Sequence, residues 1–169
     1  MTARAGNVIG GGDWSPDRLI PDFVRAAMAE RPVTIRYPGA TRPWQHVLEP
    51  LAGYLLYAER LYAGVHLPPA LNFGPVGDSS RTVGWVVEQL MARWGSPTAW
   101  KQDNIEPAPE ARTLTVDATL ATQSLGWFPR LDPETALDWT VAWYRAHAGG
   151  QEMRAYSLAE IQRYQELSQ

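Results

Sequence analysis

The chain has 169 residues, of which 45% are hydrophobic and 20% are charged, and its formal net charge is −3. This length and composition predict one folded domain with a hydrophobic core, and they exclude an intrinsically disordered chain. The negative charge argues against nucleic acid as a partner, because nucleic-acid binding needs a basic face.

No apolar run approaches the ~18 residues of a membrane span, so no membrane partner is expected. The sequence contains no cysteine, which excludes disulfides and thiol chemistry. Together with the lack of a recognisable signal peptide, this predicts a protein of the reducing cytoplasm.

The chain opens on a glycine-rich segment: residues 4–14 read RAGNVIGGGDW. Such a turn normally follows a buried strand and brings the backbone close to a ligand, because glycine accepts positive φ and leaves space where a side chain would collide. Only a stub of that strand precedes the turn. The sequence therefore predicts a single domain over 1–169 that is truncated at its N-terminal side within a longer α/β protein.

Helix and strand signals alternate after this turn. Ser15 followed by Pro16 and Asp17 is typical of a helix start, and the helix is predicted to end near Glu30. Short strands are predicted at residues 33–37 and 44–47. The apolar face of the helix is predicted to contain Ile20, Phe23, Val24 and Ala27.

Two further helices are predicted in the middle of the chain, on either side of a strand at residues 70–73. The helix at residues 49–63 carries apolar side chains at near-helical spacing, namely Leu51, Leu55, Ala58 and Tyr62. The next helix is predicted to be capped by Ser80 and closed by Gly95. Its apolar stripe contains Val83, Val86, Val87, Leu90, Met91 and Trp94.

The last third is predicted to be helical after an irregular or extended stretch at residues 98–116. Asp117 is predicted to cap a short helix that ends at Gly126, and Asp132 is predicted to cap the helix after it. Ser157 and Glu160 have the spacing of a capping box for a last helix that ends near Leu167. The alternation of short strands and helices predicts a helix-rich α/β fold.

Three polar-aromatic segments could carry a site: RAGNVIGGGDW, TRPWQHVLEPL at 41–51 and ALNFGP at 70–75. Singly, each is weak. A glycine triplet is more often an ordinary loop, and Arg42 beside a tryptophan is more often a stacked surface pair than a phosphate clamp. His46 is more often structural than catalytic, and Asp13 and Glu49 are interpreted as caps or surface charges.

In this order, the three segments resemble nucleotide-sugar enzymes of the extended short-chain dehydrogenase/reductase family, and within it the CDP-glucose 4,6-dehydratases. The resemblance extends to LGWFPR at 125–130 and SLAEIQRY at 157–164, and it covers nearly all of the chain. It implies the C-terminal part of an extended Rossmann-type fold. The family reaction oxidises C4 with NAD, eliminates water across C5–C6 and reduces C6, in deoxysugar synthesis.

The family's catalytic and cofactor-binding motifs are not in this sequence. Its Tyr-x-x-x-Lys pair is absent, since Lys101 is the single lysine and position 97 is a proline. The G-x-x-G-x-x-G turn that binds NAD phosphates is absent as well. We therefore expect no catalytic residue, no metal and no tight NAD binding in this chain alone.

The resemblance implies a substrate-binding role for five residues. Asn7 would offer its amide to the diphosphate of the nucleotide sugar, CDP-glucose above all, and Arg42 would pair with the same diphosphate. Leu19 and Ile20 would line the nucleotide pocket. Arg112 lies where relatives place a second phosphate contact, although Pro109 here replaces the histidine usual in the dehydratases.

Each assignment has a structural alternative. Asn7 could stabilise its own turn, and Leu19 and Ile20 could belong to the core. At the level of function, two alternatives stay open: a stand-alone, non-catalytic sugar-nucleotide-binding or interaction module, and a nucleotide-sugar epimerase or decarboxylase. Apolar surface normally covered by the Rossmann sheet is expected to be exposed, which predicts a homo-oligomer.

Overall fold

The computed structural model describes residues 1–75, 80–95, 99–103 and 111–167. These residues form eight short strands and six helices. The strands are β1 Thr2–Ala5, β2 Asn7–Ile9, β3 Val33–Ile35, β4 Thr41–Arg42, β5 Trp44–His46, β6 Ala70–Phe73, β7 Arg81–Thr82 and β8 Trp100–Gln102. The helices are α1 Leu19–Met28, α2 Leu48–Tyr62, α3 Val83–Trp94, α4 Thr119–Leu125, α5 Pro133–Ala148 and α6 Met153–Glu166.

The strands pair two by two. Strand β1 pairs with β6, β2 with β5 and β3 with β8, all in parallel, whereas β4 and β7 are antiparallel. Parallel neighbours need crossover connections, and α1 lies in the connection between β2 and β5. The α/β fold class predicted from the sequence is confirmed.

Two main hydrophobic clusters hold these elements together. The larger cluster joins α1, α3 and α5, and Phe23, Leu90 and Leu137 are buried in it. The second cluster packs α2 and α4 against β6 through Tyr57 and Phe73. The predicted buried side chains of α1 and α3 all lie in or against the larger cluster.

Three predicted helix starts are wrong. Helix α1 begins at Leu19, because Asp17 adopts a left-handed φ of 59° that a helix does not tolerate. Helix α3 is capped by Thr82 and not by Ser80: the Thr82 hydroxyl accepts the Trp85 N–H at 3.1 Å. The third error concerns α6.

Helix α6 begins at Met153, four residues before the predicted capping box. The Glu152 carboxylate caps it by accepting the N–H groups of Arg154 and Ala155 at 2.9 and 2.7 Å. Ser157 therefore lies inside the helix, where its hydroxyl accepts the indole N–H of Trp143 at 2.9 Å.

Other predicted boundaries agree with the structure. Asp132 caps α5 by accepting the Thr135 N–H at 2.7 Å, and the Asp117 carboxylate accepts the Thr119 N–H at 2.9 Å at the start of α4. Gly95 closes α3 with a φ of 74°. Strand β8 lies within the stretch that was predicted to be irregular or extended. Pro97 and Pro109 lie outside the described residues.

The apolar residues predicted on α2 form a stripe that faces solvent. Leu55 and Tyr62 are 72% and 97% exposed, and Leu51 is also exposed. The helix buries Gly53 and Tyr57 instead, against the second cluster. No helix in the described ranges is long and apolar enough to cross a membrane.

Candidate nucleotide-binding cleft

A cavity of about 610 Å³ lies where β2 and the glycine turn meet the start of α1. Strand β2 delivers this turn because its parallel pairing with β5 fixes the backbone as far as Ile9. The cavity is lined by Gly6, Asn7, Val8, Ile9, Gly10, Gly11, Asp13, Ser15, Asp17, Arg18, Leu19, Ile20, Pro21, Trp44 and Val47.

A second cavity, of about 210 Å³, adjoins the first, and the two share Asn7, Asp17, Leu19 and Trp44. It is lined in addition by Asp22, Thr34, Ile35, Arg36, Tyr37, Ala40, Arg42 and Val83. We call the two cavities together the cleft. Its walls combine apolar side chains with carboxylate, amide and guanidinium groups, as is usual for sites that bind small polar molecules.

Four of the five predicted site residues line the cleft. Asn7 and Leu19 line both cavities, Ile20 lines the larger one and Arg42 the smaller one. Ile20 also belongs to the core cluster, so it serves as core and as wall. Arg112 is exposed and lies outside the lining, although its carbonyl accepts the Thr41 N–H at 2.8 Å beside Arg42.

The Arg42 side chain is held in a defined position. It is only 6% exposed, and its Nη1 donates to the carbonyls of Thr41 and Ala111, both at 2.9 Å. These bonds fix the guanidinium of a residue that lines the smaller cavity. A charge fixed in a partly dry site interacts with an anion more strongly than one in water does.

The glycine turn is packed against side chains of its own chain. A Cβ atom at Gly11 would lie 2.0 Å from the Trp143 indole, and one at Gly10 would lie 2.6 Å from Val47 Cγ1. Glycine is therefore required here by close internal packing, and the same two glycines line the larger cavity. Tyr144 strengthens the same contact, since its hydroxyl donates to the carbonyl of Asp13 at 2.6 Å.

His46 and Glu49 are structural residues in this fold. His46 is fully buried, and burial lowers its pKa to about 4, so the imidazole is neutral near pH 7. Its Nδ1 accepts the Leu48 N–H at 3.4 Å, and its ring packs edge-on against Trp139.

Glu49 is a buried cap, which is the first of the two interpretations that the sequence allowed, and it is not a surface charge. Its Oε1 accepts the N–H groups of Arg130 and Leu131 at 2.8 and 2.7 Å, and its Oε2 accepts the Tyr164 hydroxyl at 2.7 Å. Burial raises its pKa, and these hydrogen bonds oppose that shift. Glu49 thereby joins α2 to α6 and does not face the cleft.

Two charged residues of the cleft were not singled out from the sequence. Asp17 lines both cavities, and Arg36 lines the smaller one and donates from Nη2 to Asp17 Oδ1 at 2.9 Å. The position of Asp17 depends on its left-handed backbone, which no motif indicates. Within the described parts of the chain, no group of three or more His, Asp or Glu side chains could hold a metal ion.

Comparison with known proteins relates this chain to sugar-nucleotide dehydratases. It is 43% identical over 164 residues to CDP-glucose 4,6-dehydratase of Salmonella typhimurium, which covers 96% of this chain and 46% of the relative. The chain is a homologue of the CDP-glucose 4,6-dehydratases. It spans about half the length of the curated relatives it matches, and it corresponds to their C-terminal part.

A more distant homologue has a related activity. The dTDP-glucose 4,6-dehydratase of Streptomyces griseus is 30% identical over 133 residues, which are 78% of this chain and 39% of the relative. No protein-family model matches the chain.

Solved structures confirm the extended short-chain dehydrogenase/reductase fold. The dTDP-glucose 4,6-dehydratase of Bacillus anthracis, in complex with NAD, has a TM-score of 0.69 at 21% identity, over 88% of this chain and 45% of that one. UDP-glucuronic acid 4-epimerase of Bacillus cereus, in complex with UDP-glucuronic acid and NAD, has a TM-score of 0.72 at 16% identity, over 86% of this chain and 45% of that one.

The described residues do not fit the phosphate cradle that NAD requires. The family's cradle is a G-x-x-G-x-x-G turn, which this sequence lacks, and Trp143 and Val47 occupy the positions that a Cβ atom of Gly11 or Gly10 would take. No residue of this chain is therefore assigned to NAD, whereas solved relatives of the same fold contain it.

Proposed function

We propose that this chain is the nucleotide-sugar-binding part of a CDP-glucose 4,6-dehydratase. The observation that carries the proposal is the cleft, in which Asn7 and Arg42 stand beside the apolar side chains of Leu19, Ile20 and Trp44. The choice of CDP-glucose is supported by the 43% identity to the Salmonella enzyme of that name.

The chemistry of these side chains suits a sugar diphosphate. A planar guanidinium forms two parallel charge-assisted hydrogen bonds with phosphate oxygens, and an asparagine amide adds a neutral donor. Leu19, Ile20 and Trp44 offer apolar surface to the base or the sugar. Arg112 is proposed as a second phosphate contact at the rim, next to the backbone that holds Arg42.

The reaction itself is proposed for the whole enzyme and not for this chain. That enzyme would convert CDP-glucose into a 4-keto-6-deoxy sugar nucleotide for deoxysugar synthesis, with NAD supplying the redox chemistry. This chain would bind the substrate diphosphate and hold the sugar in place. An epimerase or decarboxylase is not favoured, because the likeness to epimerases is one of fold at 16–21% identity.

We also propose a cytoplasmic setting and self-association. The absence of cysteine supports the first. The exposed stripe on α2, formed by Leu51, Leu55, Ala58 and Tyr62, supports the second, because side chains at this spacing form one continuous apolar seam.

Calorimetric titration of CDP-glucose into the wild type and into Arg42→Ala tests the binding role. Losing one charge-assisted contact costs about 1.5–3 kcal/mol, so we expect affinity to fall roughly ten- to a hundredfold. Arg60→Ala, an exposed arginine on α2 that lies outside the cleft, is the matched control and should bind as the wild type does. Equal affinities of the wild type and Arg42→Ala would remove Arg42 from the site.

A further inference from the structure

The ion pair between Asp17 and Arg36 stands at the junction of three cavities. Asp17 lines both cavities of the cleft and a third cavity of about 350 Å³, and Arg36 lines the smaller cleft cavity and the same third cavity. Both side chains are largely exposed, at 78% and 59%. The pair thus spans the outer edge of the cleft from the residues before α1 to the residue after β3.

Two arginines line the smaller cavity of the cleft, and a third arginine nearby is held away from it. Asp22 forms an ion pair with Arg25, whose Nη1 also donates to the Trp14 carbonyl at 2.9 Å, so this arginine is anchored away from the cavity. The guanidinium groups that line the cavity itself are Arg42 and Arg36. A diphosphate bound there would meet the Asp17 carboxylate unless Arg36 lay between them.

We propose that Arg36 is a further phosphate-binding arginine of the cleft, in addition to Arg42 and to Arg112 at the rim. Asp17 holds Arg36 at the edge of the cleft until an entering diphosphate takes the place of the Asp17 carboxylate on the guanidinium. Exchange of this kind is inexpensive, because an exposed ion pair is weak and screened by salt. A diphosphate carries more charge than one carboxylate and offers more acceptor oxygens, so it outcompetes Asp17 for the guanidinium.

The proposal rests on the proposed function, and it assigns Asp17 a definite role. Asp17 competes with the ligand, so the carboxylate lowers affinity while it keeps Arg36 ordered. The left-handed φ of 59° fixes the position from which this carboxylate reaches Arg36. Asparagine accepts the same backbone conformation, so Asp17→Asn removes the charge without disturbing the turn.

Binding of CDP-glucose and of inorganic pyrophosphate, measured by calorimetry in 150 mM salt, tests the proposal. We expect Arg36→Ala to weaken both ligands by about tenfold, with partial rescue in Arg36→Lys. We expect Asp17→Asn to tighten both by a factor of about three. Effects of opposite sign are the signature of competition, whereas a merely structural ion pair predicts that both substitutions weaken binding.

Two matched controls correct for general electrostatics. Arg31→Ala removes a positive charge that lines the third cavity but not the cleft, and Glu30→Gln removes a negative charge from another left-handed position. Effects at Arg36 and Asp17 no larger than these would overturn the proposal, as would weaker binding by Asp17→Asn.

The two ligands separate this proposal from the proposed function. Binding of CDP-glucose that depends on Arg42 but not on Arg36 would uphold the function and overturn this inference. Binding of pyrophosphate with the expected pattern, without binding of CDP-glucose, would uphold the anion site and overturn the function. Absence of binding by either ligand would overturn both.

Discussion

Glu49 is the residue at which burial and charge conflict most directly. Its carboxylate has no contact with solvent, and both of its oxygens accept hydrogen bonds from groups that are distant in sequence. Desolvation of a carboxylate is costly unless such bonds compensate it. Three donors do so here, from the 130–131 turn and from Tyr164.

We expect Glu49→Ala and Glu49→Gln to differ strongly in stability. Alanine leaves two backbone N–H groups and the Tyr164 hydroxyl buried without acceptors, which costs about 2–5 kcal/mol in free energy of unfolding. Glutamine keeps an acceptor for the N–H groups and offers a donor to the hydroxyl, so it should cost about 1 kcal/mol. Urea denaturation, with exposed Glu59→Ala as the control, measures both.

The pH dependence of stability, compared between the wild type and Glu49→Gln, gives a further check. Because burial raises the pKa of Glu49 above its ordinary 4.5, the folded state binds more protons than the unfolded state between the two values. The contribution of Glu49 is therefore fully present below pH 4.5 and declines as the pH rises through the raised value. Wild-type stability relative to Glu49→Gln should fall over that range, and a rise would contradict the assignment.

The resemblance to a known family, and not residue types alone, identified part of the cleft. The motif around Arg42 and the segment containing Leu19 indicated residues that the structure places in neighbouring walls. Asp17 and Arg36 were not found, because their contact depends on a backbone dihedral angle and on residues 19 positions apart. The burial of Glu49 was not predicted, because a charged residue in a first helical turn is normally exposed.

At the scale of elements, helix ends were predicted well where a single residue type decides them. Gly95 and Gly126 adopt the left-handed conformation that glycine favours at helix C-termini. Starts were predicted less well, because several candidates for a cap stood within three residues. Ser80 and Thr82 both qualify by type, and strand β7 decides between them by extending to Thr82.

Helix α2 shows the limit of hydrophobic periodicity. Leu51, Leu55 and Tyr62 repeat at helical spacing, yet they face solvent, while Gly53 and Tyr57 face the core. The periodicity gave the helix correctly but not the face that it buries. Gly53 is needed there because a Cβ atom would lie 2.3 Å from the Phe73 ring, a constraint that no spacing rule contains.

We expect this stripe to drive association between copies. Leu55→Lys should weaken self-association by about tenfold or more, because it places a charge at the centre of the apolar seam. Sedimentation over a range of concentrations and binding of a hydrophobic dye measure the effect. Leu158→Lys, at an exposed leucine of α6, should associate as the wild type does. A wild type that is monomeric and does not bind dye would refute the expectation.

For the whole molecule, the α/β class was predictable from the alternation of elements, but the pairing of the strands was not. Pairs such as β3 with β8 join residues far apart in the chain, and Val33 lies opposite Trp100. Strands of two to four residues carry too little pattern to specify such partners. Only the resemblance of the whole chain to a known family supplied that level of organisation.

We expect the purified chain to have no dehydratase activity by itself. The purified chain, supplied with NAD and CDP-glucose, should form no 4-keto-6-deoxy product, because hydride transfer needs a nicotinamide held against C4 and a base at its hydroxyl. The sequence has no Tyr-x-x-x-Lys pair that could act as this base. The absorbance of the keto sugar in base measures the product, and the Salmonella relative is the positive control. Product formed by this chain would contradict the expectation and would require a further catalytic site.

The contact between the glycine turn and α5 has a consequence for the order of events during synthesis. Trp143 packs against Gly11, and the Asp13 carbonyl accepts a hydrogen bond from the hydroxyl of Tyr144, which lies 131 residues later in the chain. During synthesis the turn therefore leaves the ribosome 131 residues before the side chain that secures it. Contacts this distant in sequence form slowly. We expect the glycine turn to gain protection from hydrogen exchange only after α5 has been synthesised.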